Sequence, residues 1–157
     1  MDPDSPRTIS IVNRSEYKVP SASLKRAIEC ALRPHSVRSG EISVLITEDE
    51  EIRSLNRLYR KVDEETDVLT FPADNPLLLG DIAISAPYAE RQATARGVSL
   101  EQELAYLAIH GALHLAGFDD ESDEDRLEMV AEMNRAAVAA GLPPDENWFS
   151  ILHEATR

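Results

Sequence analysis

Ile109-His110-Gly111-Ala112-Leu113-His114-Leu115-Ala116-Gly117-Phe118-Asp119-Asp120 is the stretch on which the architecture turns. Together with Leu104, Leu107 and Ala108 just before it, the run is apolar nearly all round a helix and leaves no solvated stripe. A helix of that kind is buried. It opens at a capping box, Ser99-Leu100-Glu101-Gln102, and runs to about Ala116 before Gly117. Two histidines, His110 and His114, fall four residues apart and so project from one face, close enough for both imidazoles to reach one ion. On a buried helix both must be satisfied, since an unpaired buried polar group costs about 1–3 kcal/mol. Gly117 then permits a tight reversal that brings Asp119 or Asp120 back toward the same face.

On either side of this helix the chain alternates strands and helices. Thr8 to Val12, Glu41 to Ile46, Asp67 to Phe71 and Gly80 to Ser85 have the β-rich, alternating character of short strands. Pro20-Ser21 opens a helix with Leu24, Ala27, Ile28, Ala31 and Leu32 on its inner side, stopped by Pro34. Thr47-Glu48-Asp49-Glu50 fits a capping box for a helix carrying Ile52, Leu55, Leu58 and Tyr59 on one side. Pro87 stands near the start of a helix ending at Arg96-Gly97, and Ser122-Asp123-Glu124-Asp125 starts one that ends at Gly141. Asn147 to Arg157 is expected to be a docked tail or short helix. The fold class is therefore α/β (α+β): a small mixed four-stranded sheet packed with about five to six helices in a single domain over residues 1–157.

Charge and composition narrow the function. The chain has 157 residues, with 16 Lys+Arg against 29 Asp+Glu and a net charge of −13. So acidic a surface repels phosphate backbones, which excludes general nucleic-acid coating and requires any RNA contact to use a local basic cluster or a metal ion. One cysteine, Cys30, set among apolar helix positions, rules out an internal disulfide and fits a reducing compartment. The N-terminal residues lack the apolar core of a signal peptide, and no run approaches the ~18 apolar residues of a membrane span, so a cytoplasmic location is expected.

A His-x3-His pair followed by a carboxylate supplies three zinc ligands and leaves a fourth position open, as catalytic sites do. A closed structural site would draw on cysteine, and none is near. The spacing His110-x3-His114-x2-Gly117-x2-Asp120 is also that of the metzincin helix and turn. A zinc protease, however, needs Glu as general base where this chain has Gly111, which makes proteolysis the runner-up.

The same stretch resembles the YbeY family of bacterial zinc-dependent endoribonucleases, whose hallmark is His-Gly-x-Leu-His-Leu-x-Gly-Tyr-Asp-His. Two further blocks match it: Leu55-Asn56-x2-Tyr59-Arg60-x2-Asp63-x2-Thr66-Asp67-Val68-Leu69-Thr70-Phe71-Pro72, and Leu79-Gly80-Asp81-Ile82-Ala83-Ile84-Ser85. The likeness spans roughly residues 40–135. It implies an α/β fold, one Zn2+ ion, and single-strand-specific cleavage of ribosomal RNA in small-subunit 3′-end maturation and ribosome quality control. Ribosomal proteins or assembly factors are the expected partners, and a non-catalytic assembly factor is the other alternative. Position by position, the metal ligands become His110, His114 and Asp120. The family has histidine where this chain has Asp120, and Asp119 is the substitute that register disfavours. Arg60 falls at the family's Tyr-Arg position, where a guanidinium binds a phosphate bidentately and stabilises transition-state charge.

Arg53, Arg57, Arg60 and Lys61 share one side of the second helix, although bases at a helix end and acids at its start also simply match the dipole. Asn56, Thr66 and Asp67 are expected to bond turns, and Tyr106 to lie in the core. His35 and His153 stand outside any constellation.

Overall fold

The computed structural model describes residues 8–35, 40–74 and 78–145. Four strands, β1 (Thr8–Asn13), β2 (Glu41–Thr47), β3 (Val68–Pro72) and β4 (Leu78–Ser85), form one sheet in the order β1-β2-β4-β3. β1, β2 and β4 run parallel, and β3 pairs antiparallel with β4 at the edge. Five helices accompany them among the described residues: α1 (Ser21–Leu32), α2 (Asp49–Arg60), α3 (Ala86–Arg96), α4 (Leu100–Leu115) and α5 (Asp123–Ala139). The expected α/β class with a small mixed sheet is what is found. The expected tail, Asn147 to Arg157, lies outside the described residues, and His153 with it.

The period-2 alternation of the strands divides the core. Ile42, Val44 and Ile46 of β2 and Ile82 and Ile84 of β4 face a large cluster completed by α1, α4, α5 and the start of α3. On the reverse face Leu69 and Ala83 are buried with Ile52 of α2, flanked by Leu45, Leu55 and Phe71. α4 is buried from Glu103 to Leu113, as its unbroken apolar surface requires. Cys30 and Tyr106 are buried as expected, the Tyr106 hydroxyl donating to the Pro143 carbonyl at 2.7 Å.

Two expectations for α2 are corrected. Thr47 does not cap it: Thr47 pairs with Ser85 as the last residue of β2, and Glu48 takes the N-cap position without a side-chain cap bond. The Thr47 hydroxyl donates instead to Glu51 at 2.7 Å. The inner side of α2 is Ile52, Leu55 and Asn56, while Leu58 is 70% exposed and Tyr59 64% exposed. Six residues beyond Ile52, Leu58 is rotated about 240° around the axis and must face away. Tyr59 lies at the margin, its ring edge-on to Phe71 with centroids 5.4 Å apart. No described helix is long and apolar enough to cross a membrane.

Candidate metal centre

α4 is anchored at its start by the Ser99 hydroxyl, which accepts from the Gln102 amide at 3.0 Å. It ends in a Schellman turn: Gly117 N–H donates to His114 O at 3.0 Å and Phe118 N–H to Leu113 O at 3.0 Å. Gly117 holds φ at 103°, a conformation that side chains with a Cβ rarely adopt. Gly111 serves packing instead. A Cβ there would stand 2.9 Å from Ile82 Cγ2, so the bare backbone lets α4 settle closely on β4. The position that a zinc protease fills with Glu therefore faces the sheet and has no room for it.

The two histidines emerge from the adjoining face of α4. Their Nε2 atoms are 2.8 Å apart and their rings are stacked, with centroids at 4.6 Å. Asp120 Oδ2 lies 3.5 Å from His110 Nε2 and 3.6 Å from His114 Nε2. Ligand atoms around a tetrahedral zinc with bonds of about 2.0–2.1 Å stand roughly 3.3 Å from one another, and these three separations bracket that edge. The donor set, two imidazoles and a carboxylate, is one that zinc accepts. The His110 side chain is fully buried, whereas His114 retains 21% and Asp120 12% exposure, so the cluster is closed on the protein side and open toward solvent.

The loop after the helix presents Asp120 rather than Asp119. Asp119 is exposed, and its Oδ1 accepts the backbone amides of Asp120 at 2.6 Å and Glu121 at 3.1 Å, closing an Asx turn. Arg126 of α5 reaches back to the same loop, donating to the carbonyls of Asp120 at 3.2 Å and Glu121 at 3.4 Å and pairing with the Asp123 carboxylate. Sequence reasoning missed Arg126; its signal was a lone cation directly after six acids in the seven residues from Asp119 to Asp125.

Arg60 stands on α2, a different element from the helix that carries the two histidines. It is exposed at the end of α2, and its Nη2 donates to the Thr70 carbonyl at 3.0 Å, on the outer edge of β3. Arg53 pairs with Asp63 at 2.9 Å and Arg57 approaches the same carboxylate at 3.9 Å, so both are partly neutralised locally. The hydrogen bond from Arg53 holds the Asp63 carboxyl below its usual range. Asn56 and Asp67 are turn-bonding residues as expected. Asn56 Nδ2 donates to Glu64 O at 2.9 Å, and buried Asp67 accepts from Val68 N at 2.7 Å and Gln92 Nε2 at 3.2 Å. His35, apart from the cluster, bonds Glu132 at 2.7 Å.

A histidine pair on a buried helix and a carboxylate folded back by a glycine turn, set on a mixed α/β sheet, define a class: metal-binding hydrolase domains. Comparison with known proteins makes this specific. Residues 10–139 match the family model for Endoribonuclease YbeY. The Endoribonuclease YbeY of Roseiflexus sp. (strain RS-1) is 41% identical over 158 residues, covering 91% of this chain and 99% of the relative. That of Pseudomonas putida is 40% identical over 141 residues, covering 84% and 89%. Among solved structures, the solution structure of TM1509 from Thermotoga maritima superposes with a TM-score of 0.56 at 28% identity, covering 82% of this chain and 89% of that one. The chain belongs to the YbeY family of metal-dependent endoribonucleases, hydrolases that act on RNA.

Proposed function

We propose that this chain, working as one domain in the cytoplasm, is a zinc-dependent, single-strand-specific endoribonuclease. Its target is ribosomal RNA, in small-subunit 3′-end maturation and in ribosome quality control. The observation that carries the proposal is the convergence of His110, His114 and Asp120, whose donor atoms all lie within 4.8 Å of one another, in a chain of this family. These three residues would hold one zinc ion. A bound divalent cation supplies Lewis acidity toward a phosphoryl oxygen and toward water.

The chain's own residues do the rest. His110, fully buried, fixes the inner wall of the site, and His114 and Asp120 frame its solvent side. The Asp120 carboxylate brings one negative charge where a histidine would bring none, so it offsets part of a bound cation's charge. Arg60 would hold a phosphate of the substrate. One of its N–H groups is committed to Thr70 O, which fixes the plane of the guanidinium and leaves the remaining donors for the phosphate. A net charge of −13 disfavours extended contact with RNA, so engagement is local and assisted by ribosomal proteins or assembly factors.

The test is end-mapping of ribosomal RNA in cells carrying wild type, His114→Ala or Arg60→Lys. Unprocessed small-subunit 3′ ends are expected in both variants, since Lys keeps the charge and loses the fork. Normal ends in the His114→Ala strain would leave only an assembly role.

A further inference from the structure

The reverse face of the sheet is only half covered. α2 is the one described helix on it, and it shields Leu69 and Ala83 while Ser10, Ser43 and Asp81 stay exposed. Parallel strands are ordinarily covered on both sides. Beside α2 the uncovered part forms a cleft of about 440 Å³ lined by Val12, Leu45, Leu55, Tyr59, Phe71 and Asp81. That volume falls within the range of small-molecule sites, and the lining, apolar below with a few polar groups at the rim, is typical of them. The cleft lies across the sheet from the metal centre, with β3 as the edge strand between the two faces.

Three features favour a nucleobase as occupant. Tyr59 is 64% exposed yet is held edge-on to Phe71, so its ring is an ordered and accessible platform. Bases of single-stranded RNA stack on such rings whatever their sequence. Arg60 and Lys61 follow Tyr59 directly at the end of α2 and are exposed cations in an otherwise acidic chain; Arg60 donates to the Thr70 carbonyl, next to Phe71, rather than to a carboxylate, and Lys61 has no ion pair among the described residues. At the rim, the Asp81 carboxylate is exposed and suited to accept from an exocyclic amino group, as carboxylates do from cytosine N4. Arg14, on the opposite wall, is tied to Glu51 at 3.1 Å.

We propose that this cleft seats an unpaired base of the RNA substrate, stacked on Tyr59 with Asp81 accepting from its amino group, while Arg60 and Lys61 hold the adjoining phosphates. The proposal rests on the reading of the chain as a nuclease for single-stranded RNA, and extends it with a subsite for a base flanking the cut. The strand passes over the β3 edge, where Arg60 sits, from this subsite to the other face.

The test uses the full chain carrying His114→Ala, to keep the probe intact, and a short single-stranded RNA with 2-aminopurine at one position. Stacking on Tyr59 quenches the probe's fluorescence. Adding Tyr59→Ala is expected to remove the quench and weaken binding on the order of ten-fold. Tyr59→Phe, which keeps the stacking face, should stay within about two-fold of the parent, and Asp81→Ala should lose a preference for cytosine over uracil. As a check that needs no change in the protein, an RNA abasic at that position should bind about as weakly as the intact RNA binds Tyr59→Ala. Equal affinity and quenching with and without the Tyr59 ring, or equal affinity for abasic and intact RNA, overturns the proposal; a cleft built for a polypeptide gives that result. Failure of the metal-centre reading shows separately, as RNA cleavage that survives His114→Ala.

Discussion

At Asp120 a carboxylate stands where the family motif has an imidazole, and its position depends on a backbone that other side chains hold. Arg126 ties down the carbonyls of Asp120 and Glu121, and the Asx turn of Asp119 fixes the intervening amides. Groups that orient a metal ligand from behind typically change metal affinity 10–100-fold when removed. Arg126→Ala is accordingly expected to weaken zinc binding about ten-fold in competition with a chromophoric chelator, with the fold intact by circular dichroism. Asp120→His is expected to keep one zinc per chain and Asp120→Ala to lose it at micromolar chelator. The ligand candidates were legible in the sequence because helix geometry converts a spacing of four into proximity, and a glycine announces the reversal after it. The bond from Arg60 to Thr70 was not legible, because it joins two elements through a contact that no local spacing encodes, whereas Arg126 was overlooked although its partners lie only three to six residues before it.

The elements fold as their end signals dictate, and each places part of the site. α4 packs closely on β4 where Gly111 has no Cβ. Gly111→Ala should force Ile82 or the helix to shift, at about 1–3 kcal/mol by urea unfolding, and should lower metal affinity by displacing His110. α2 ends with Lys61 in the left-handed region at φ 59°, where Val62 N–H reaches Asn56 O at 3.3 Å. Only glycine takes that conformation freely, so Lys61→Gly should raise stability by roughly 0.5–1 kcal/mol in the same measurement. A higher midpoint accompanied by weaker RNA binding would show that Lys61 is kept for its charge. The helices with clear caps and glycine stops were readable from sequence, and α2 was misread in two details. Its threonine start was absorbed by the pairing of Thr47 with Ser85, a non-local contact. Its apolar residues outnumber those it buries because it covers half of a sheet face, which periodicity alone cannot reveal.

For the whole molecule, burial on α4 creates a pH dependence remote from the metal centre. Burial pushes the Glu103 carboxyl up to about 7, against the pull of Arg96, which meets both of its oxygens at 2.8 and 3.0 Å and also pairs with Asp145. A carboxyl with a raised folded pKa stabilises most when protonated. Its contribution is full below the unfolded value of about 4.5 and is lost as pH rises through 7, with a slope of at most ~1.4 kcal/mol per pH unit between them. Glu103→Gln should flatten stability between pH 5.5 and 8 relative to wild type. The class of the fold followed from patterns along the chain, but this buried acid did not, since its partner Arg96 comes from a different helix and the Asp145 that shares Arg96 is 42 residues away from Glu103. The central claim is that His110, His114 and Asp120 together hold one divalent cation. Anomalous diffraction at the zinc edge, from crystals of the zinc-loaded chain, tests it most directly. The account predicts a single strong peak about 2.0–2.2 Å from His110 Nε2, His114 Nε2 and an Asp120 oxygen. A peak elsewhere, or Asp120 turned to solvent with the two imidazoles bonded only to protein groups, would contradict it.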